Sequence, residues 1–389
     1  MQVSVTTRAI MEGFARSTGL TDLSVEPRRY LWTDAFAVFN FLELFRQSGD
    51  HDDLQLALQL VDQVHEVLGK HHKESEQQGW LSGLDDEQAR RHPTIAGLRI
   101  GKKMNERQPN EPFDEQLEWE RDGQYFHYLT KWMHALSRVS QVTGRRVYCL
   151  WAIELAKTAH SAFVYSQAGN APKRMYWKMS IDLSHPLVAS MGQHDPLDGL
   201  ITFQQLQSTG RQFSDQPEDL DLKSEIADLM SLCEGQRWAT QDSLGIGGLL
   251  TDASRVSQLV GLYDWPESVR LEALLTDIKL SLQAYLSQNQ LHLPADYRLA
   301  FRELGLSIGL HAIARMKKII DVYPQKFNNR DRLLTLLEAL FSFQKLQELI
   351  ETFWLDPAHR KVNSWLDHAD INDVMLATTL APDGFLSIS

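Results

Sequence analysis

Trp119-Glu120-Arg121-Asp122-Gly123-Gln124-Tyr125-Phe126-His127-Tyr128-Leu129-Thr130-Lys131-Trp132-Met133-His134-Ala135-Leu136 is the stretch that decides the fold. At 100° per residue, His127, Lys131, His134 and Arg138 fall within about 60° of one another, a single polar stripe. Phe126, Leu129, Met133 and Leu136 take the other side. Three acids, Glu118, Glu120 and Asp122, stand in the lead-in. An ordinary surface helix also has one polar face, so the stripe gains its weight from similar units elsewhere in the chain.

Before it, Thr33 or Asp34 is placed to cap a helix carrying Phe36, Phe39, Phe41, Leu42 and Phe45. Ser48-Gly49-Asp50 then makes a tight turn, and Leu54, Leu58, Val61, Val64 and Leu68 mark a second helix. This is an αα-hairpin. A long polar stretch, Lys70 to Arg121, follows with no strong helical period. The plan then repeats: a helix from about Gly123 to Gly144, and a partner over Arg145–Tyr165. An irregular stretch runs from Gly169 to Pro196. The third pair is Leu197–Gly210 with Glu218–Leu232. Asp242 opens the fourth, whose partner is Glu267–Leu286, and Leu299–Met316 pairs with Arg330–Leu346. Trp354–Leu380 supplies a shorter sixth.

Each first helix opens on an acid followed by small or aromatic residues: Asp34-Ala35, Asp122-Gly123, Asp198-Gly199, Asp242-Ser243, Glu303-Leu304 and Asp373-Val374. The clearer second helices are evenly amphipathic. Small and apolar residues all round suit an inner helix, and an apolar stripe suits one with an outer face in water. The pattern predicts an all-α chain, an (α/α)6 toroid of six hairpins with long loops on one face beside the inner-helix N-termini. It reads as one domain over 1–389, with 1–27 a loosely defined N-terminal segment.

Composition sets limits on function. The chain is 43 % hydrophobic and 23 % charged, ordinary for a globular protein. A formal charge of −12 argues against a general nucleic-acid binder, which would show a basic face. Only two cysteines occur, Cys149 and Cys233, in apolar helical surroundings, so neither a disulfide framework nor a cysteine zinc site is expected. No signal-peptide core and no apolar run of about 20 residues is present, which excludes a membrane partner from the reading and leaves a cytoplasmic location as the expectation. The oligomeric state is not encoded in any visible feature.

Four segments are the most distinctive: Gly97-Leu98-Arg99-Ile100-Gly101-Lys102, Arg121-Asp122-Gly123-Gln124-Tyr125-Phe126-His127-Tyr128, Trp177-Lys178-Met179-Ser180-Ile181-Asp182-Leu183-Ser184, and Gly192-Gln193-His194-Asp195-Pro196-Leu197-Asp198-Gly199. With the six hairpins they make the chain, over roughly Arg28 to Leu380, resemble a bacterial branch of the six-hairpin glycosidase-like (α/α)6 superfamily. That toroid hosts hydrolases, polysaccharide lyases, sugar epimerases and terpene cyclases, and the fold does not choose among them. No catalytic motif of the superfamily transfers onto these segments.

The resemblance implies a carbohydrate-active enzyme on a short oligosaccharide or modified sugar, needing no cofactor and no metal. Glycoside hydrolysis is the expected reaction, and it requires two carboxyl groups, an acid and a nucleophile or base. Asp122 and Asp198 are the leading pair, with Asp34, Asp195 and Asp242 behind them and His194 beside Asp195. Each is also well placed simply to cap a helix, worth about 1 kcal/mol. Trp32, Trp119, Tyr125, Tyr128, Tyr176 and Trp177 stand near the same acids, as sugar-stacking faces or as ordinary core residues. His127, Lys131 and His134 line a polar pocket for proton transfer, or face solvent, or satisfy one another. His127 and His134 are about two turns apart, too far to share a metal unaided. Arg99, Lys173, Arg174 and Lys178 add positive charge that hints at an acidic sugar. Epimerisation or β-elimination, with His127 or Tyr125 as base, is the alternative reaction, and sugar binding without turnover is the other alternative.

Two motifs are set aside. Asp50-His51-Asp52-Asp53 matches the Asp-x-Asp-Asp of protonating terpene cyclases but sits in a tight turn, where aspartates cap the next helix. Gly245-Ile246-Gly247-Gly248 follows no strand, so it serves close helix packing rather than a dinucleotide.

Overall fold

The computed structural model describes residues 2–73, 75, 77–108, 110–166, 173–213, 221–266 and 268–389. Gly169, Glu218 and Glu267, where the sequence predicts element boundaries, lie outside the described residues. The chain is all-α. Helix α1 (Gln2–Ser17) precedes the first hairpin, α2 (Leu31–Ser48) and α3 (His51–Leu68). Two short helices, α4 (Asp86–Arg91) and α5 (Glu115–Glu120), interrupt the long polar stretch. The next hairpins are α6 (Phe126–Thr143) with α7 (Arg146–Phe163), and α8 (Asp195–Gly210) with α9 (Lys223–Cys233). Then come α10 (Ser243–Tyr263) with α11 (Ser268–Ser287), and α12 (Ala300–Val322) followed by α13 (Arg330–Phe341) and α14 (Gln344–Leu355). The chain ends through α15 (Asn363–Leu366), α16 (Ala369–Leu380) and α17 (Asp383–Leu386). Among the described residues no helix is long and apolar enough to cross a membrane.

The helices divide into two compact units, Ala15–Glu234 and Gly235–Ile388 with Met1–Phe14. In the first, α6 packs between α2 and α8, while α3, α7 and α9 pack behind them. In the second, α12 packs between α10 and α16, with α11, α13 and α14 behind. Burial follows the sequence pattern. In α2 every residue from Leu31 to Leu44 is buried, whereas α3 buries one stripe, Ala57, Leu60, Val61, Val64 and Leu68. Burying Phe36, Phe39 and Phe41 contributes roughly 1.5–3 kcal/mol each before the entropy of ordering them. This is the hairpin plan, inner first helices and outer second ones, that the apolar pattern predicts.

The helix starts refine that plan. Asp34 does not precede α2 but lies within its first turn, where its carboxylate accepts from the Tyr30 N–H at 2.8 Å. Asp50 caps α3 through the Asp52 N–H, as the turn reading expects. Helix α6 begins at Phe126 rather than Gly123 because Gln124–Tyr125 forms strand β1 first. The strands β2 (Val164–Tyr165) and β3 (Arg174–Met175) pair with each other, and β4 (Lys178–Met179) runs antiparallel between β1 and β5 (Pro186–Val188). Within the Trp177–Ser184 stretch, expected to be irregular, β4 thus sets Lys178 opposite Tyr125, and the Trp177 ring just before it lies 5.4 Å from the Tyr125 ring. In the second unit, a methyl group on Gly247 would overlap the Gly305 carbonyl oxygen, so the glycine does permit close packing of α10 on α12. The predicted Arg330–Leu346 helix is broken at Ser342-Phe343 into α13 and α14.

Candidate functional site

In the unit Ala15–Glu234, the N-terminal turns of α6 and α8 place four polar side chains in two parallel rungs. His127 and Lys131 are one turn apart on α6, and Asp195 and Asp198 are one turn apart on α8. His127 Nδ1 lies 3.6 Å from Asp195 Oδ1, and Lys131 Nζ lies 2.7 Å from Asp198 Oδ1. The Thr130 hydroxyl donates to the other oxygen of Asp198. At 3.6 Å the upper rung is longer than a hydrogen bond, a contact that becomes an ion pair only when the imidazole is protonated. Neither His127 Nδ1 nor Asp195 Oδ2 has a hydrogen-bond partner, although Asp195 is only 5 % exposed. A buried carboxylate oxygen without a donor is costly, which makes the pair the candidate functional feature of this region. Gly192 makes room for it, since a Cβ there would stand 2.6 Å from Asp195 Oδ2.

Aromatic rings surround the His127 imidazole. Their centroids lie at 4.9 Å for Tyr128, 5.3 Å for Tyr125, 6.0 Å for Trp32 and 6.4 Å, nearly parallel, for Trp177. Tyr30 closes the group through a 2.8 Å hydrogen bond between its hydroxyl and that of Tyr128. Burial pushes the Tyr125 phenol above its ordinary range, with the Tyr128, Glu118 and Glu120 charges adding to it. Tyr125 is therefore suited to donate a hydrogen bond and unsuited to act as a base. Trp177 meets Trp119 edge to face at 4.9 Å. Those two rings, with Phe113, Tyr125, Val188 and Glu118, line a cleft of about 240 Å³. Trp119 is 44 % exposed.

The remaining predicted residues lie elsewhere or are fully engaged. Asp122 is completely buried and accepts from Arg99 at 2.7 Å and from the Gly101 and Gly123 N–H groups at 3.0 Å each. Arg99 donates also to the Lys70 and Val67 carbonyls, so the pair ties together the Gly97–Gly101 and Asp122–Gly123 segments. Asp34 is buried against Arg29 at 3.4 Å. Lys178, wholly buried, donates to Glu118 Oε1 at 2.8 Å and to the Glu118 and Arg121 carbonyls. Burial lowers the pKa of its ammonium, with the Glu118 partner opposing that shift. His194 stands at the N-cap of α8 without capping it. Asp242 belongs to the other compact unit, where it caps α10 through the Gly245 N–H and pairs with Arg302 at 2.6 Å. His134, part of the polar stripe, is buried against Phe39 and bonded to Gln205 at 2.9 Å, a core histidine.

Sequence reasoning missed Tyr30, Thr130 and Glu118 as members of this region. One signal was available: Tyr30 and Tyr125 each immediately precede an inner helix, α2 and α6. Thr130 carries no such mark. A second, polar cavity of about 370 Å³ in the same unit is lined by His71, Asn105, Glu106, Gln108 and Asp182. Burial raises the Glu106 pKa there and lowers that of His71.

No family model matches the sequence, and no curated protein matches it. Among solved structures, the chain is similar to cellobiose 2-epimerase from Bacillus thermoamylovorans, with 13 % identity over 88 % of this chain and 87 % of that one, at a TM-score of 0.46. Cellobiose 2-epimerase from Spirochaeta thermophila is similar at 13 % identity over 87 % and 85 %, also at 0.46. A sugar epimerase from a ruminal bacterium is similar at 9 % identity over 89 % and 87 %, again at 0.46.

Proposed function

We propose that this protein moves a proton at a sugar carbon next to a carbonyl, as a sugar epimerase or isomerase does. The observation that carries the reading is the His127–Asp195 pair, whose Nδ1 and Oδ2 lack hydrogen-bond partners and whose imidazole is set among Trp32, Tyr125, Tyr128 and Trp177. A carboxylate 3.6 Å from Nδ1 favours the imidazolium that forms when Nε2 accepts a proton, and closing to hydrogen-bond distance as substrate binds would fix the tautomer. Aromatic faces suit the apolar faces of a sugar ring. Hydrolysis by paired carboxylates has less support. It needs one carboxyl group that holds a proton and another that attacks. Asp122 is engaged by three donors, and Asp198 by Lys131 and Thr130.

The test is to incubate the protein with D-glucose, D-mannose, N-acetyl-D-glucosamine and cellobiose and to separate the products by ion-exchange chromatography. The expected product is a C2 epimer or a 2-ketose, with the glycosidic bond of cellobiose intact and with no product from the His127→Gln variant. Release of glucose from cellobiose, or turnover that survives His127→Gln, would sink the proposal.

A further inference from the structure

We infer that Lys131 supplies the charge that stabilises the sugar oxygen during this proton transfer, so that the substrate presents an open-chain carbonyl at C1. The inference rests on the proton-transfer reading of the His127 site. Lys131 lies one turn along α6 from His127 and therefore on the same face. Its Nζ is 5.9 Å from the centre of the Trp32 ring, and that ring is 6.0 Å from the His127 imidazole, so one indole flanks both groups. The Lys131 side chain is 13 % exposed, reachable yet largely desolvated, where a fixed charge acts more strongly than in water.

Asp198 takes one of the three ammonium protons, leaving two donors on Nζ. The carboxylate in turn is held by the Thr130 hydroxyl, which fixes the direction of the ion pair. The upper rung thus carries a base and the lower rung a cation, spaced by one helical turn.

The step balances without an oxidant or reductant. His127 Nε2 takes the proton from C2, and the C2–H electron pair becomes the C1=C2 bond. The carbonyl π pair moves onto O1, which accepts a hydrogen bond from Lys131 Nζ. The proton held on His127, or one exchanged for it with solvent, then adds back. Added at C2, on the opposite face once the enediolate has turned about C2–C3, it restores the C1 carbonyl as the epimer. Added at C1, with the O2 proton passing to O1, it gives the 2-ketose, so no atom is gained or lost.

The experiment compares wild type, Lys131→Met and Lys131→Met/Asp198→Asn with the four sugars above. It adds two inhibitors, mannitol, which has no carbonyl, and D-gluconohydroxamate, whose charged end imitates the enediolate. Both variants should lose about 10²–10³ in kcat, the usual cost of one oxyanion donor. Mannitol affinity should stay within about twofold and hydroxamate affinity should fall by more than about tenfold. The double variant leaves no unpaired carboxylate and carries the same test if Lys131→Met fails to fold. If wild type turns over a sugar and the folded variants match it within about threefold, the Lys131 assignment is overturned while the proton-transfer reading stands. Equal loss of mannitol and hydroxamate binding would likewise overturn it, as the mark of a structural role. If wild type turns over none of the sugars, the underlying reading fails and takes this inference with it.

Discussion

His65 offers a stability test whose size follows from its surroundings. It is buried on α3, where its Nε2 accepts the Trp132 indole N–H at 3.1 Å and its ring lies edge-on to Trp132 and Trp151. That hydrogen bond requires a neutral ring. Burial pushes the imidazole pKa down to about 3, from 6.5 in the unfolded chain. A folded pKa below the unfolded one means the unfolded chain binds more protons between the two, so stability is full above about pH 6.5 and is lost as pH falls towards 3. Each pH unit in that window is worth about 1.4 kcal/mol, so moving from about pH 7 to about pH 5 costs roughly 2 kcal/mol through this residue. The perturbation that isolates it is His65→Gln, which keeps an acceptor for Trp132 but does not titrate. Urea unfolding of both proteins at the two pH values gives the difference directly, free of other groups that titrate in each. The wild-type advantage over the variant should shrink by about 2 kcal/mol at the lower pH. A difference constant to within about 0.5 kcal/mol would refute the reasoning.

Lys178→Met removes three hydrogen bonds from a fully buried ammonium while Arg107 still faces Glu118 at 3.1 Å, so a loss of about 3 kcal/mol is expected in urea unfolding. The same variant should blue- or red-shift tryptophan emission, because the pair pins the Trp119 segment beside Trp177. Gly247→Ala forces α10 away from α12 and should cost at least about 2 kcal/mol, with the thermal midpoint as the readout. Asp195→Asn should keep the fold and lower kcat by about 10²–10⁴, since an amide no longer favours the imidazolium of His127.

The hairpin plan was legible because it rests on periodicity. The unbroken burial of α2 against the single buried stripe of α3 is visible in the run from Leu31 to Leu68 without coordinates. Long-range events were not legible. Asp122 has the sequence context of a helix cap, yet Arg99 claims it across the intervening loop and strand β1 delays the helix to Phe126. Nothing local marks the two-residue pairing of β1 with β4. The site was legible in part: His127, Lys131, Asp195 and Asp198 were all singled out, while the pairing of each α6 residue with one on α8 emerges only from packing. His134 shows the limit of a helical wheel. It shares a stripe with Lys131, but α6 is inner along its middle, and the deeper residue becomes core.

Proton transfer at the carbon beside the carbonyl is the central claim, and solvent deuterium reads it most directly. The protein is incubated in D₂O with the four sugars, and the C1 and C2 protons of substrate and product are followed by NMR. The account predicts deuterium from solvent at C2 of an epimer, or at C1 of a 2-ketose, in wild type, and no such exchange in His127→Gln. Wild-type product formed with no deuterium at either C1 or C2 would contradict it.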